Sequence, residues 1–209
     1  VSCSSTVYTP VIKISVKPGY LCYCSEPDLG GGTSCGNGYE VQSVSIPGTS
    51  LFSLLVCNTS NGYVYSQLPD SGNYTAQLYA PATYSIVAAS TDGEGYMSAW
   101  IDYNHDGVFD ASENIFADVN TSGAFDTFSF SVPPTALLGA TGLRIRSSSG
   151  TITGSDACTY LYDGETEDYT IHIAAAPACT GAPSAGTIVS NSNPTCLSSS
   201  FMLTTQNIT

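Results

Sequence analysis

Short alternating apolar runs, each cut off by a turn signal, constrain this chain more than any other feature. Ile12, Ile14 and Val16 fall on one face of Pro10–Val16, with Lys13 and Ser15 on the other, before Pro18-Gly19 ends the run. Further strands are expected at Val41–Ile46, Leu51–Cys57, Tyr63–Gln67, Tyr74–Tyr79, Tyr84–Ala89 and Met97–Ile101. After an acidic loop come Phe125–Val132, Leu143–Ser147 and Tyr169–Ile173, while 116–123 reads as a loop. Asn61-Gly62, Ser71-Gly72 and Pro133-Pro134 punctuate the series. Only 10% of the residues are charged, so helix surfaces would lack their usual Glu, Lys and Arg. The expectation is an all-β chain, a β-sandwich or jelly roll.

Charge then narrows the function. The formal net charge is −13, with four basic side chains, so no patch can be assembled to neutralise nucleic-acid phosphates or an anionic membrane. Thirteen of the 17 carboxylates lie between Asp92 and Asp168. Acid concentrated in this way calls for a cation.

Eight cysteines at irregular spacing, without a CxxC pair and with only two histidines, point to disulfides and an oxidising, extracellular compartment. Cys22 and Cys24 project to one face of an extended segment, so they are expected to bond to different partners. Cys24–Cys35 would staple the Gly-rich loop Gly30–Gly38, and Cys179–Cys196 would close a C-terminal piece. Cys57 and Cys158 are then candidates for longer-range bridges, and sequence leaves the full pairing open. Sequons begin at Asn58, Asn73, Asn120 and Asn207. No run is long enough for a transmembrane helix and no signal peptide is visible, so a mature or excised product is expected.

The motif with the most chemistry is Asp102-Tyr-Asn104-His-Asp106-Gly107-Val108-Phe-Asp110-Ala-Ser-Glu113. It fits D-x-[DN]-x-[DN]-G-x5-E at every constrained position. Calcium takes six to eight oxygens, and alternate residues of a tight loop aim inward. Asp102, Asn104 and Asp106 would give side-chain oxygens, Val108 its carbonyl, Asp110 a water-mediated contact and Glu113 both carboxylate oxygens. Gly107 permits the bend, and Phe109 is placed as an apolar anchor. The flanks read as strand and loop, so an EF-hand-like loop inside a β-domain is expected to be a structural site. A second acidic cluster, Asp163–Asp168, precedes the last strand. Arg144 and Arg146 share one strand face, so a salt bridge to Glu165 or Asp168 is expected, with help in a cation site as the alternative.

Ala99-Trp-Ile-Asp-Tyr-Asn-His-Asp-Gly-Val-Phe-Asp110 followed by Glu113 resembles the core of the GEVED domain. Gly164-Glu-Thr-Glu-Asp-Tyr169 resembles the motif that names the family, with Thr166 in place of its Val. Tyr23-Cys24 and Val132-Pro133…Gly139…Leu143–Arg146 match as well, so the resemblance spans about 21–173. It implies a β-sandwich accessory module of large secreted bacterial proteins, with calcium at the loop and no catalytic residue. The cysteine-rich stretch Cys22–Cys57 departs from the family pattern. The flanks resemble immunoglobulin-like repeats.

The expected organisation is a strand segment at 1–19, the calcium-binding sandwich at 20–174, a linker at 175–177, and an immunoglobulin-like start or assembly arm at 178–209. Pairing of 178–209 of one subunit with 1–19 of the next would build a head-to-tail filament.

No enzyme is expected. His105 lies in the calcium loop, His172 on the polar side of a strand, and there is no G-x-S-x-G. The functional expectation is a non-catalytic, calcium-stabilised structural or adhesive module at a cell surface, its partners neighbouring modules or identical subunits. The alternative is a carbohydrate-binding accessory domain of a secreted hydrolase, with Trp100 and the tyrosines as its hint and glycans as its partner.

Overall fold

A computed structural model describes residues 22–25, 29, 39–54, 65–91, 95–120, 125–177, 187–190 and 203–206. The chain divides into two compact units, Val1–Ala176 and Pro177–Thr209. In the first, ten strands among the described residues form two sheets. They are β1 (Val41–Ser45), β2 (Phe52–Ser53), β3 (Tyr65–Gln67), β4 (Gln77–Ala80), β5 (Ala82–Ser90), β6 (Tyr96–Ile101), β7 (Asn114–Asn120), β8 (Asp126–Val132), β9 (Gly139–Ser148) and β10 (Glu165–Ala175). In the second, β11 (Thr187–Ser190) and β12 (Leu203–Gln206) pair antiparallel. The expected strand Pro10–Val16 lies outside the described residues.

The smaller sheet has the order β2-β1-β5-β8, all antiparallel. The larger has the order β3-β10-β9-β6-β7, with β4 also parallel to β10 beyond β3. Period-two alternation sends Met97, Ala99, Ile101, Leu143, Ile145, Tyr169 and Ile171 to one face of the larger sheet. There they bury against Val44, Ile46, Ile86 and Phe130 in a common core with the smaller sheet. A sandwich is the arrangement in which two such faces bury each other.

The opposite face of the larger sheet is covered as well. Tyr23, Trp100, Phe109, Ile152, Ala157 and Leu161 form a second apolar cluster beneath a layer of loops. The indole nitrogen of Trp100 donates to the carbonyl of Gly154 at 2.8 Å, fastening the 150–163 loop to β6. Trp100→Phe should cost about 1–2 kcal/mol by removing that bond and some buried volume, read as a lower urea midpoint at unchanged slope.

Two expectations need correction. The 116–123 stretch is not a loop up to residue 120, because β7 runs antiparallel to β6. Register shifts interrupt the pairing, and Asp118 takes φ 54°, so bulges hide the alternation that would have marked a strand. Phe116 nevertheless turns inward and stacks on Phe128 at 4.1 Å. The Cys24–Cys35 staple is also not formed, because Cys24 is bonded to Cys158, 134 residues away. Tyr23 inserts under the outer layer against Phe109, which carries Cys24 to the 157–158 loop. Cys35, Cys57, Cys179 and Cys196 lie outside the described residues.

Candidate metal centre

The loop between β6 and β7 starts from a rigid position. Asp102 follows β6 directly and is fully buried. Its amide donates to the carbonyl of Gly142 at 3.2 Å, and its own carbonyl accepts the Thr141 hydroxyl at 2.5 Å. Its Oδ2 accepts the Tyr23 hydroxyl at 2.8 Å and the Gly107 amide at 3.1 Å. Gly142 in turn donates its amide to the Tyr23 oxygen at 3.0 Å. A Cβ on Gly142 would stand 2.4 Å from the Tyr23 ring, so this close approach requires glycine.

The rest of the loop winds through side-chain turns of the kind Asn and Asp favour. The Asn104 Oδ1 accepts the Asp106 amide at 2.9 Å, and the Asp106 Oδ1 accepts the Val108 amide at 2.9 Å. Gly107 at φ 82° makes the bend that its place in the motif demands. Phe109 is buried and stacks on Tyr23 at 4.1 Å, an anchor as expected, though into the outer cluster rather than the main core. Glu113, also buried, clasps the loop from inside. Its Oε1 accepts the amides of Tyr103 (2.8 Å) and Asn104 (3.2 Å), and its Oε2 that of Asp110 (3.1 Å). Burial, with the Asp102 charge adding a smaller push, raises the Glu113 carboxyl above the usual carboxylate range against these bonds.

One oxygen is left over. The Asp102 Oδ1 is buried and has no hydrogen-bond donor among the described residues. A buried anionic oxygen without a partner is costly, and a hard cation is the natural occupant of the space before it. The donor set fits calcium: Asp102 Oδ1, the free lone pairs on Asn104 and Asp106, the exposed Val108 and Asp110, and what the Glu113 bonds leave available. As the loop stands, no three His, Cys, Asp or Glu side chains among the described residues close into a metal cluster. The exposed ligand side chains of Asp106 and Asp110 would have to turn inward on loading.

The second set of candidates does not come together. Arg144 and Asp168 face each other across β9 and β10 and pair through two 2.7 Å bonds, Nε to Oδ1 and Nη2 to Oδ2. Arg146 has no such partner among the described residues. Its guanidinium is caged by the Thr166 hydroxyl at 3.0 Å and the carbonyls of Thr159 (2.8 Å), Leu29 (3.3 Å) and Asp156. Burial, reinforced by Arg144, pulls its pKa down to about 9. Glu165 stands on the other face of β10, towards the smaller sheet, where its Oε2 accepts the Val41 amide at 3.0 Å. Arg144 and Asp168 therefore form the expected salt bridge, while Glu165 is separated from them by the sheet.

The two histidines lie apart, on β10 and in the 102–113 loop. His172 pairs with Asp70 through Nε2 at 2.9 Å, with both side chains exposed. His105 sits in the 102–113 loop at φ 56°. Glu165 and Glu167, the other carboxylate pair, are buried between the sheets. Tyr23 is the site residue that motif reading missed. Its only signal was the Tyr23-Cys24 dipeptide, 79 residues from the carboxylate it holds.

Residues 96–172 match the sequence model of the GEVED domain, a family of accessory rather than catalytic modules. The match takes in the whole Asp102–Glu113 loop and the Gly164–Tyr169 motif, and it begins at the first residue of β6. No curated protein matches the chain.

Proposed function

We propose, for a chain that carries a GEVED match across residues 96–172, a calcium-stabilised, non-catalytic structural or adhesive module of an extracellular assembly. The observation that carries the metal is the buried, donorless Asp102 Oδ1 at the head of a loop already wound by Asn104 and Asp106. When bound, calcium would supply only charge neutralisation and cross-linking. The chain's own residues hold the loop's two ends, Asp102 through β9 and Tyr23, and Glu113 through three backbone amides. The Cys24–Cys158 disulfide supports an oxidising compartment. Neighbouring modules or further copies of the chain are the proposed partners, with head-to-tail assembly as the filament form.

Thermal unfolding of the whole chain in ~10 mM calcium, then in excess chelator, tests this reading. With a Kd of ~10⁻⁴ to 10⁻³ M, the range of extracellular calcium modules, calcium should add about 1.4–2.7 kcal/mol. That corresponds to an unfolding temperature roughly 3–10 °C higher. Light scattering recorded in the same samples reports assembly, and its loss in chelator would tie the metal to the filament. Coincident melting curves would remove the metal from the proposal.

A second reading has one observation in its favour. Tyr160 and Tyr162 are 54% and 88% exposed on the loop that the disulfide anchors. Their rings meet edge to face at 5.4 Å, not coplanar as a sugar platform would present them. Glycan-array binding that is lost in Tyr162→Ala would move the function to carbohydrate recognition.

A further inference from the structure

The two glutamates of the Gly164–Tyr169 motif are both turned between the sheets, Glu165 at 3% exposure and Glu167 at 1%. Being two apart on β10, they share the face that Tyr169, Ile171 and Ile173 present to the core. The two guanidiniums of β9 are bonded on the opposite face, Arg144 to Asp168 and Arg146 to Thr166, so neither neutralises the glutamates. The other two basic residues of the chain, Lys13 and Lys17, lie outside the described residues.

Among the described residues, what faces the glutamates is uncharged or acidic. From β1 comes the Val41 amide, bonded to Glu165 Oε2 at 3.0 Å, and just before it Glu40, whose Oε2 accepts the Thr91 hydroxyl. From β9 come Ser147, directly across from Glu165, and Ile145, across from Glu167. The smaller sheet contributes Ser90 of β5, paired with Val41, and Ser53 of β2, paired with Val44. On β10 itself, the Tyr169 hydroxyl donates to Glu167 Oε2 at 2.6 Å. The Glu167 Oε1 and the Ser147 hydroxyl are buried with no hydrogen-bond partner among the described residues. Two like charges enclosed in this way cannot both persist without a counter-cation.

We infer that Glu165 and Glu167 act as one proton-holding carboxyl pair between the sheets, and that their full ionisation in mildly alkaline solution loosens the β1–β10 junction. Burial raises both groups, Glu165 to about 7 with Glu40 adding to it, and Glu167 to about 8 with Glu165 adding to it. The proton comes from solvent and returns there, so no other reactant is involved. The sign follows from which state holds more protons. An unfolded glutamate ionises near ~4.3, so above that pH the folded chain keeps protons that the unfolded chain has released. The pair's contribution is therefore fully present below about pH 4.3 and is lost as pH rises through about 7 to 8. For each proton so retained, the unfolding equilibrium constant rises about tenfold per pH unit between about pH 4.3 and the folded value of the group.

The test is a set of urea unfolding curves of the full chain from pH 5 to 9, calcium held constant and saturating, for the wild type and Glu167→Gln. The amide keeps the shape of a protonated carboxyl and cannot ionise. The wild-type midpoint should fall from pH 5 to about pH 8 and level off above it, whereas Glu167→Gln should flatten the fall and exceed the wild type at pH 8.5. Parallel curves for the two proteins would overturn the inference. Carbon-detected NMR titration of the glutamate carboxyls in the wild type decides the matter even if the variant does not fold. A glutamate carboxyl titrating above pH 6.5 is expected, and all of them titrating below pH 6 would overturn it.

Discussion

Asp102→Ala should lower the unfolding temperature in calcium by roughly 6–12 °C and leave a protein whose melting no longer responds to chelator. Two losses add up. Without the carboxylate the calcium contribution of about 1.4–2.7 kcal/mol disappears. The Tyr23 hydroxyl and the Gly107 amide also lose their common acceptor, Oδ2, at about 1–3 kcal/mol for each buried group left unpaired. The low end of that sum, about 3 kcal/mol, converts to the stated shift for a domain of this size. Asp102→Asn separates the two terms. It keeps an oxygen to accept the Tyr23 and Gly107 bonds but removes the charge, so it should stay near wild type in chelator and gain little from calcium. Val108→Ala, which changes only a half-exposed side chain and not the carbonyl, should respond to calcium as the wild type does. An Asp102→Asn protein stabilised by calcium as strongly as the wild type would remove Asp102 from the metal site and the metal from the proposal.

Much of the sandwich was legible because its strands obey period two and end in residues with turn chemistry. Tyr84–Ala89, Met97–Ile101 and Phe125–Val132 were placed close to β5, β6 and β8 for that reason. The GEVED resemblance was legible because the loop and the Gly164–Tyr169 motif have rigid spacing, and the sequence-model match covers both. Three features were hidden. Bulges at Met97–Ala99 and Ala99–Trp100, with Asp118 at a left-handed φ, erased the alternation of β7. Glu165 to Asp168 read as an acidic cluster ahead of the last strand, yet β10 includes and buries all four residues, Thr166 included, by sending alternate side chains to two different interiors. Acidity at the level of sequence does not distinguish a solvated loop from a strand whose carboxylates find an arginine on one face and protons on the other. The disulfide was hidden because sequence distance favours short loops, whereas the fold brings Cys24 to Cys158 through an outer layer that only tertiary packing creates. In the 102–113 loop, the sequence motif specified the residues but not that Glu113 would bond three backbone amides.

Arg144→Met should cost about 3–5 kcal/mol, since it leaves the Asp168 carboxylate buried without its cation. The same guanidinium also bonds the carbonyls of Ala157 (2.9 Å) and Cys24 (2.7 Å), on either side of the disulfide. It lies 4.9 Å from the centroid of Phe109, whose other stacking contact is Tyr23. One side chain thus braces the sheet, the stapled outer layer and the anchor of the 102–113 loop. Arg144→Lys should recover little, because an ammonium cannot reproduce the two-pronged pairing or reach the same carbonyls. The double variant Arg144→Met/Asp168→Leu should recover a large share of the loss, because it removes the stranded charge along with its partner. Urea unfolding of the three variants beside the wild type measures this, and a single-variant cost under about 1 kcal/mol would mean that water reaches Asp168 and solvates it. If the pairing is as tight as its geometry, the loss in Arg144→Met should also weaken the calcium response. The path from Arg144 through Phe109 and Tyr23 ends on the Asp102 carboxylate, so loosening the brace leaves that oxygen less firmly aimed at the ion.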